Sequence, residues 1–171
     1  MKKTCQSTIL CVAAAMLLGT PVAQAAKSKS TAAFENLSSL VGQWKGVMDG
    51  VDITVTYTLT ANGSTLMEEF RPASGPVMMT MFSVDGDHLI ATHYCAAGNQ
   101  PQMATRAIVD SPPKALVFSL VRVTGMTSPE AWHNTGLEVI LQDKDHLTQN
   151  WTYLYAGKSG TTTFHFTRKQ E

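Results

Sequence analysis

Between Val51 and Leu59 every second side chain is apolar. Val51, Ile53, Val55, Tyr57 and Leu59 fall on one face of an extended chain, and Asp52, Thr54, Thr56 and Thr58 on the other. Strand side chains repeat every two residues, so this stretch has one buried face and one wet face. A helix would scatter the same residues around its circumference. Asp49-Gly50 and Asn62-Gly63 bound the segment, and such pairs accept the positive φ of tight turns. Similar units recur. Strands are expected over 42–48, 51–59, 64–71, 77–84, 87–95, 102–109, 114–123, 136–141, 146–155 and 161–168. Asp85-Gly86, Asp110-Ser111-Pro112-Pro113, Asp143-Lys144 and Gly157-Lys158-Ser159-Gly160 are the other turn signals. Charged residues make up only 15% of the 171 residues and apolar ones 44%, as suits an all-β domain with a sizeable core.

The first 25 residues break this pattern. Lys2-Lys3 precede an apolar run from Ile9 to Leu18, and Ala23-Gln24-Ala25 is a small-x-small cleavage site. That order reads as a secretory signal peptide over 1–25, and the run is too short to span a membrane well. A Cys-anchored lipoprotein is the rival reading, but Cys5 and Cys11 lack the small residue that usually precedes such a Cys. The expected product is periplasmic or secreted, with no membrane span after cleavage and Cys95 as its only thiol. A lone Cys forms no internal disulfide, so the core must stabilise the fold unaided. Losing Lys2 and Lys3 takes the formal charge from 0 to about −2 (11 basic against 13 acidic). No basic face for nucleic acid is suggested.

Residues 26–33 are rich in Lys, Ser, Thr and Ala and read as a flexible leader. Phe34, Leu37 and Leu40 then recur at helical spacing, so a short helix is expected before the first strand. The stretch 124–134 interrupts the strand rhythm, and Ser128-Pro129-Glu130 resembles a helix start. It reads as a loop with one helical turn, a candidate lid. About ten short strands in simple succession suggest a single antiparallel up-and-down β-barrel over 34–171, wide enough for one small ligand. A β-sandwich is the structural rival, but it needs long crossovers, and few segments here are long enough.

Leu40-Val41-Gly42-Gln43-Trp44-Lys45-Gly46 resembles the Gly-x-Trp opening of the lipocalin-like, or calycin, barrels. In those proteins a short helix precedes the first strand and the Trp plugs one end. The run of strands is similar to the fatty-acid-binding and nitrobindin-type members. The mature chain also resembles a group of uncharacterised secreted bacterial β-barrel proteins. That likeness rests on Asp85-Gly86-Asp87 and on Thr92-His93-Tyr94-Cys95-Ala96-Ala97-Gly98-Asn99-Gln100-Pro101. The resemblance implies a barrel with an internal cavity and names no ligand.

Polar and soft side chains are concentrated in 78–103. His93 and Cys95 share a strand face with Leu89 and Ala91, which suggests an inward direction. They could touch a ligand, act as base and nucleophile with Tyr94 nearby, or be a satisfied buried His and a small apolar Cys. Met79, Met81 and Met103, with Met78, could line an adaptable site or simply fill core. Arg71 or Arg106, if inward, could hold an anionic head group; otherwise Glu69 and Arg71 are wall or rim charges. Trp151, Tyr153 and Tyr155 share a face and either line a cavity or pack its closed end. Asn99, Gln100 and Asn150 could hydrogen-bond a ligand at the mouth, though turn chemistry also explains Asn99.

No cofactor is expected. Zinc would need His93 and Cys95 joined by His133 or His88, and no metal-binding spacing is present. Haem, which the nitrobindin resemblance brings in, would fall to His165. That residue should face away from Phe164 and Phe166, and so outward if they point inward. The expected function is binding of a small apolar or amphipathic molecule inside the barrel. Its rivals are an enzyme using His93 as acid/base, or a structural envelope protein with a filled interior. The oligomeric state is not legible.

Overall fold

The computed structural model describes residues 27–109 and 113–170, so the signal-peptide reading of 1–25 lies outside the described residues. Helix α1 (Lys29–Ser38) leads into ten strands: β1 (Gly42–Met48), β2 (Val51–Thr60), β3 (Thr65–Pro72), β4 (Met78–Asp85), β5 (His88–Tyr94), β6 (Gln100–Thr105), β7 (Ala115–Thr124), β8 (His133–Leu141), β9 (His146–Tyr155) and β10 (Lys158–Arg168). Each strand pairs antiparallel with its sequence neighbours, and β1 pairs with β10. The result is one closed barrel. Closure leaves no sheet edge to template aggregation.

Closure depends on a close approach. Gly46 stands opposite Phe166. A Cβ there would come within 2.7 Å of both the His165 carbonyl oxygen and the Phe166 ring. Only glycine lets the last strand dock this tightly.

Alternation along each strand sorts the core from the surface. Ile53, Val55 and Tyr57 on β2, Leu89 and Ala91 on β5, and Phe164 and Phe166 on β10 are buried. Burying each Leu, Ile or Phe contributes about 1.5–3 kcal/mol. His165 is exposed on the opposite face of β10 and meets Thr148 Oγ1 through Nδ1 at 3.0 Å. That is the outward direction the alternation predicts.

The helix begins at Lys29, which corrects the flexible leader over 26–33. Ser28 caps it by accepting from Thr31 N at 3.1 Å. Ser30 and Ala33 are buried, and Ser30 Oγ donates to Gly86 O at 2.7 Å. Composition alone read these small polar residues as solvated, because it cannot see the hairpin turn they pack against. Phe34, Leu37 and Leu40 insert beneath, beside fully buried Trp44. Trp44 Nε1 donates to Leu40 O at 2.8 Å. The Arg168 guanidinium lies 4.2 Å from the Trp44 ring centre and donates to Ser39 O and Val41 O, meeting carbonyls the helix end leaves free.

This plug closes the end of the barrel that carries the β2–β3, β4–β5, β6–β7 and β8–β9 turns. Several boundaries differ from the sequence reading: β6 runs over Gln100–Thr105 where 102–109 is expected, and β8 begins at His133, three residues before the expected 136. The β9–β10 turn is Ala156-Gly157, both at positive φ, so β10 starts three residues before the expected 161. The stretch 125–132 holds a single turn closed by Ala131 N on Ser128 O, and no helix.

Candidate functional site

The other end of the barrel is not packed solid. A cavity of about 210 Å³ lies beneath the β1–β2, β3–β4, β5–β6, β7–β8 and β9–β10 connections. The packed core that fills the rest of the barrel stops short of this end. Met48, Met78, Phe70 and Phe164 form much of the wall. Phe70 meets Phe164 edge-on, with ring centres 5.4 Å apart. Trp132, from the β7–β8 loop, stacks on Tyr153 at 5.6 Å and roofs the space. The Tyr153 ring in turn lies over Gly160 across the β9–β10 pair, where a side chain would collide with it.

One wall of the cavity is polar, and it continues into a buried network. Glu68 sits on β3 between Leu66 and Phe70 on the inward face and is only 1% exposed. Its Oε2 accepts from Tyr57 Oη at 2.6 Å and from Gln149 Nε2. Gln149 Nε2 also reaches Tyr57 Oη at 2.8 Å, and Trp151 Nε1 donates to Gln149 Oε1 at 3.0 Å. Glu68 Oε1 lies 3.3 Å from Thr80 Oγ1, which is itself 3.0 Å from His93 Nδ1. Glu68, Thr80 and His93 thus form one chain across β3, β4 and β5. It ends on an imidazole that lines the cavity and packs 4.7 Å from the Trp151 ring.

Burial dominates the protonation of these groups. It pushes the Glu68 carboxyl up, against the pull of the hydrogen bonds from Tyr57, Gln149 and Thr80. It pushes the Tyr57 phenol well above its usual range, with the adjacent Glu68 charge adding to the effect. It lowers His93 to about 4, so the ring is neutral at pH 7. Two buried side chains keep unused hydrogen-bonding capacity toward the cavity. His93 and Asn134 are each 4% exposed. Among the described residues nothing bonds His93 Nε2 or the Asn134 amide, and neither atom set is sealed off from the cavity both residues line.

The sequence-predicted residues divide sharply. His93, Trp151 and Tyr153 line the cavity. Met103 is fully buried in the core. Met79 and Met81 point outward, because Thr80 and Phe82 take the inward positions of β4; of the Met cluster it is Met78 that faces the cavity. Arg71 also points outward and binds Glu69 at 2.8 Å, while Arg106 is exposed, so neither meets an interior anion. Tyr94 is 49% exposed on the outer face. Cys95 lies past the end of β5, where the turn rotates it off the His93 face; its Sγ accepts from Ala97 N, and burial raises its pKa. Asn99 and Gln100 hold the mouth instead of lining it. Asn99 Nδ2 donates to Trp132 O at 2.7 Å, and Gln100 bonds Gly98 O and Thr124.

His88 and His93 stand at opposite ends of β5, about 17 Å apart at 3.4 Å per residue. His133 turns its Nδ1 to Ala131 O. Among the described residues no three His, Cys, Asp or Glu side chains gather as a metal set, and no helix is long and apolar enough to cross a membrane.

Glu68, Thr80, Trp132 and Asn134 were not singled out as site residues from sequence. For Glu68 a signal existed: its i±2 neighbours Leu66 and Phe70 are apolar, whereas those of Glu69 are Met67 and Arg71. Trp132 and Asn134 carried none, lying in and just after the one irregular loop.

No family model matches the chain, and no curated protein matches it. Among solved structures it is similar to a protein of unknown function from the DUF3598 family of Nostoc punctiforme PCC 73102, with a TM-score of 0.50 and 13% sequence identity. The match covers 78% of this chain and 49% of that one, so the chain spans about half the length of that protein. At this identity the likeness concerns the barrel fold alone.

Proposed function

We propose that this chain is an exported binding protein whose barrel takes one small, uncharged, mostly apolar molecule. The observation that carries the reading is the 210 Å³ cavity walled by aromatic and Met side chains, into which two buried polar groups, His93 and Asn134, direct unused hydrogen-bonding capacity. Both groups are open to the cavity, where a bound molecule can take the place of water as their partner. A cavity of about 150 Å³ accepts benzene, and drug-sized sites start near 300 Å³. The occupant is then a single substituted ring or its equal in bulk. Among the described residues no Lys or Arg lines the space, and an unpaired anion there would be costly, so a fatty-acid-like carboxylate is disfavoured. The helix before β1 and the buried Trp44 at the closed end support the calycin resemblance. Export rests on the reading of residues 1–25, and N-terminal sequencing of secreted protein should begin at Ala26.

The test is calorimetric titration of the purified protein with phenol, indole, cyclohexanone and benzoate. Binding of the neutral rings and rejection of benzoate is the expected result. Absence of binding by every neutral ring, or equal affinity for benzoate, overturns the reading. The Glu68–Thr80–His93 chain favours a second reading, in which His93 Nε2 takes a proton from the bound molecule. Turnover of a bound neutral ring compound, abolished in His93→Gln, would select it.

A further inference from the structure

Glu68 distributes its hydrogen bonds unevenly. Tyr57 and Gln149 both donate to Oε2, while Oε1 meets only Thr80 Oγ1. A proton added to Glu68 therefore belongs on Oε1, whose one donor, the Thr80 hydroxyl, can turn to His93 Nδ1 instead. Thr80 has one hydroxyl proton and sits between Oε1 and His93 Nδ1. With Glu68 ionised, Thr80 donates to the carboxylate and must accept from His93, which fixes the imidazole proton on Nδ1 and leaves Nε2 a bare lone pair. With Glu68 protonated, the carboxyl donates to Thr80, Thr80 donates to Nδ1, and the imidazole proton moves to Nε2. Each state satisfies every group in the chain. They differ in what the cavity meets, an acceptor or a donor.

We propose that Glu68, acting through Thr80, sets the hydrogen-bonding role of His93 Nε2 and thereby the class of ring compound the cavity holds. This rests on the binding reading above. Ionised Glu68 selects a neutral donor such as a phenol, and protonated Glu68 a neutral acceptor such as a cyclic ketone. Glu68 and Thr80 are positioning residues here, and His93 is the contact. The surrounding elements add few competing charges. The titratable groups facing Glu68 are Tyr57 on β2, His93 on β5 beyond Thr80, and Tyr153 on β9 across the cavity. Glu69 and Arg71 on the same strand point outward and pair with each other. From β1 and β10 the cavity receives Met48, Thr162 and Phe164, none of them titratable. Burial raises the Glu68 pKa from its usual value, which favours the protonated state.

The first arm of the test needs no ligand. Imidazole ¹⁵N shifts of His93 are followed in the full mature protein from about pH 5 upward, where the ring itself stays neutral. The proton should sit on Nδ1 at high pH and shift to Nε2 as pH falls. Thr80→Ser should keep this behaviour and Thr80→Val should abolish it, with backbone spectra confirming that both fold. The second arm measures phenol and cyclohexanone affinities. Their ratio should change about tenfold across the transition, the worth of one neutral hydrogen bond, in wild type and Thr80→Ser, and stay constant in Thr80→Val. A tautomer that never changes, or one that changes alike in Thr80→Val, overturns the proposal. A tautomer change with no binding of either probe overturns the ligand reading and leaves the relay standing.

Discussion

Burial of His93 should make this protein acid-sensitive. The ring is 4% exposed and its pKa lies at about 4, against 6.5 in a free chain, because burial disfavours the charged imidazolium. Between those values the unfolded chain binds a proton that the folded one refuses, so stability rises with pH through this window. At 1.36 kcal/mol per pH unit, the gap amounts to roughly 3 kcal/mol, nearly all of it present above pH 6.5 and mostly lost by pH 4. Glu68 works the other way: its raised pKa makes folding less favourable as pH climbs from 4.5 through the folded value. A comparison of wild type with His93→Gln separates the two, since Glu68 is common to both and Gln keeps a polar group toward Thr80. Urea unfolding at pH 4, 5, 6.5 and 8 gives the stability difference between them. It should grow by about 3 kcal/mol from pH 4 to 6.5 and then level off. A difference that is flat across this range would refute the claim that His93 is held neutral by burial.

Three further outcomes follow from the geometry. Gly46→Val pushes side-chain atoms into the His165 carbonyl and the Phe166 ring at the closing seam and should cost about 1–3 kcal/mol in urea unfolding; wild-type stability would mean the β1–β10 contact is looser than described. Arg71→Ala should leave ring-compound affinity unchanged and stability within about 1 kcal/mol, because its partner is a surface carboxylate; a lost affinity would place Arg71 at the ligand after all. Cys95 should react with a disulfide reagent at pH 7 more slowly than free cysteine, since its thiol is held protonated; faster reaction would indicate an activated thiolate.

The barrel was largely legible from sequence because two-residue alternation and Gly-containing turns are local signals. β2 and β9 run almost as the pattern dictates, from Val51 and from His146. The site was legible only where it shared that signal. His93 could be assigned inward from Leu89 and Ala91, and Trp151 from Leu147. The Met cluster misled, because Met78, Met79 and Met81 share a composition but not a face, and Thr80 rather than Met79 lies inside. Arg71 follows the wall-charge alternative, since alternation with inward Glu68 and Phe70 puts it outside with Glu69. The partners of His93 are set by register, which places Thr80 opposite His93 and Glu68 opposite Thr80. No single strand reveals that alignment. Nor does composition show that Ser30 and Ala33 have a hairpin to rest on.

Trp44, Arg168 and the helix seal one pole of the cylinder, while the cavity and Trp132 occupy the other. The plug and the cavity are thus at opposite ends of one continuous core, with Phe70, Trp151 and Phe164 belonging to both core and cavity wall. The connections at 73–77 and 125–132 can change length or character without disturbing the seam that joins first strand to last. A cylinder divided in this way can vary the loops at its mouth while its base stays constant.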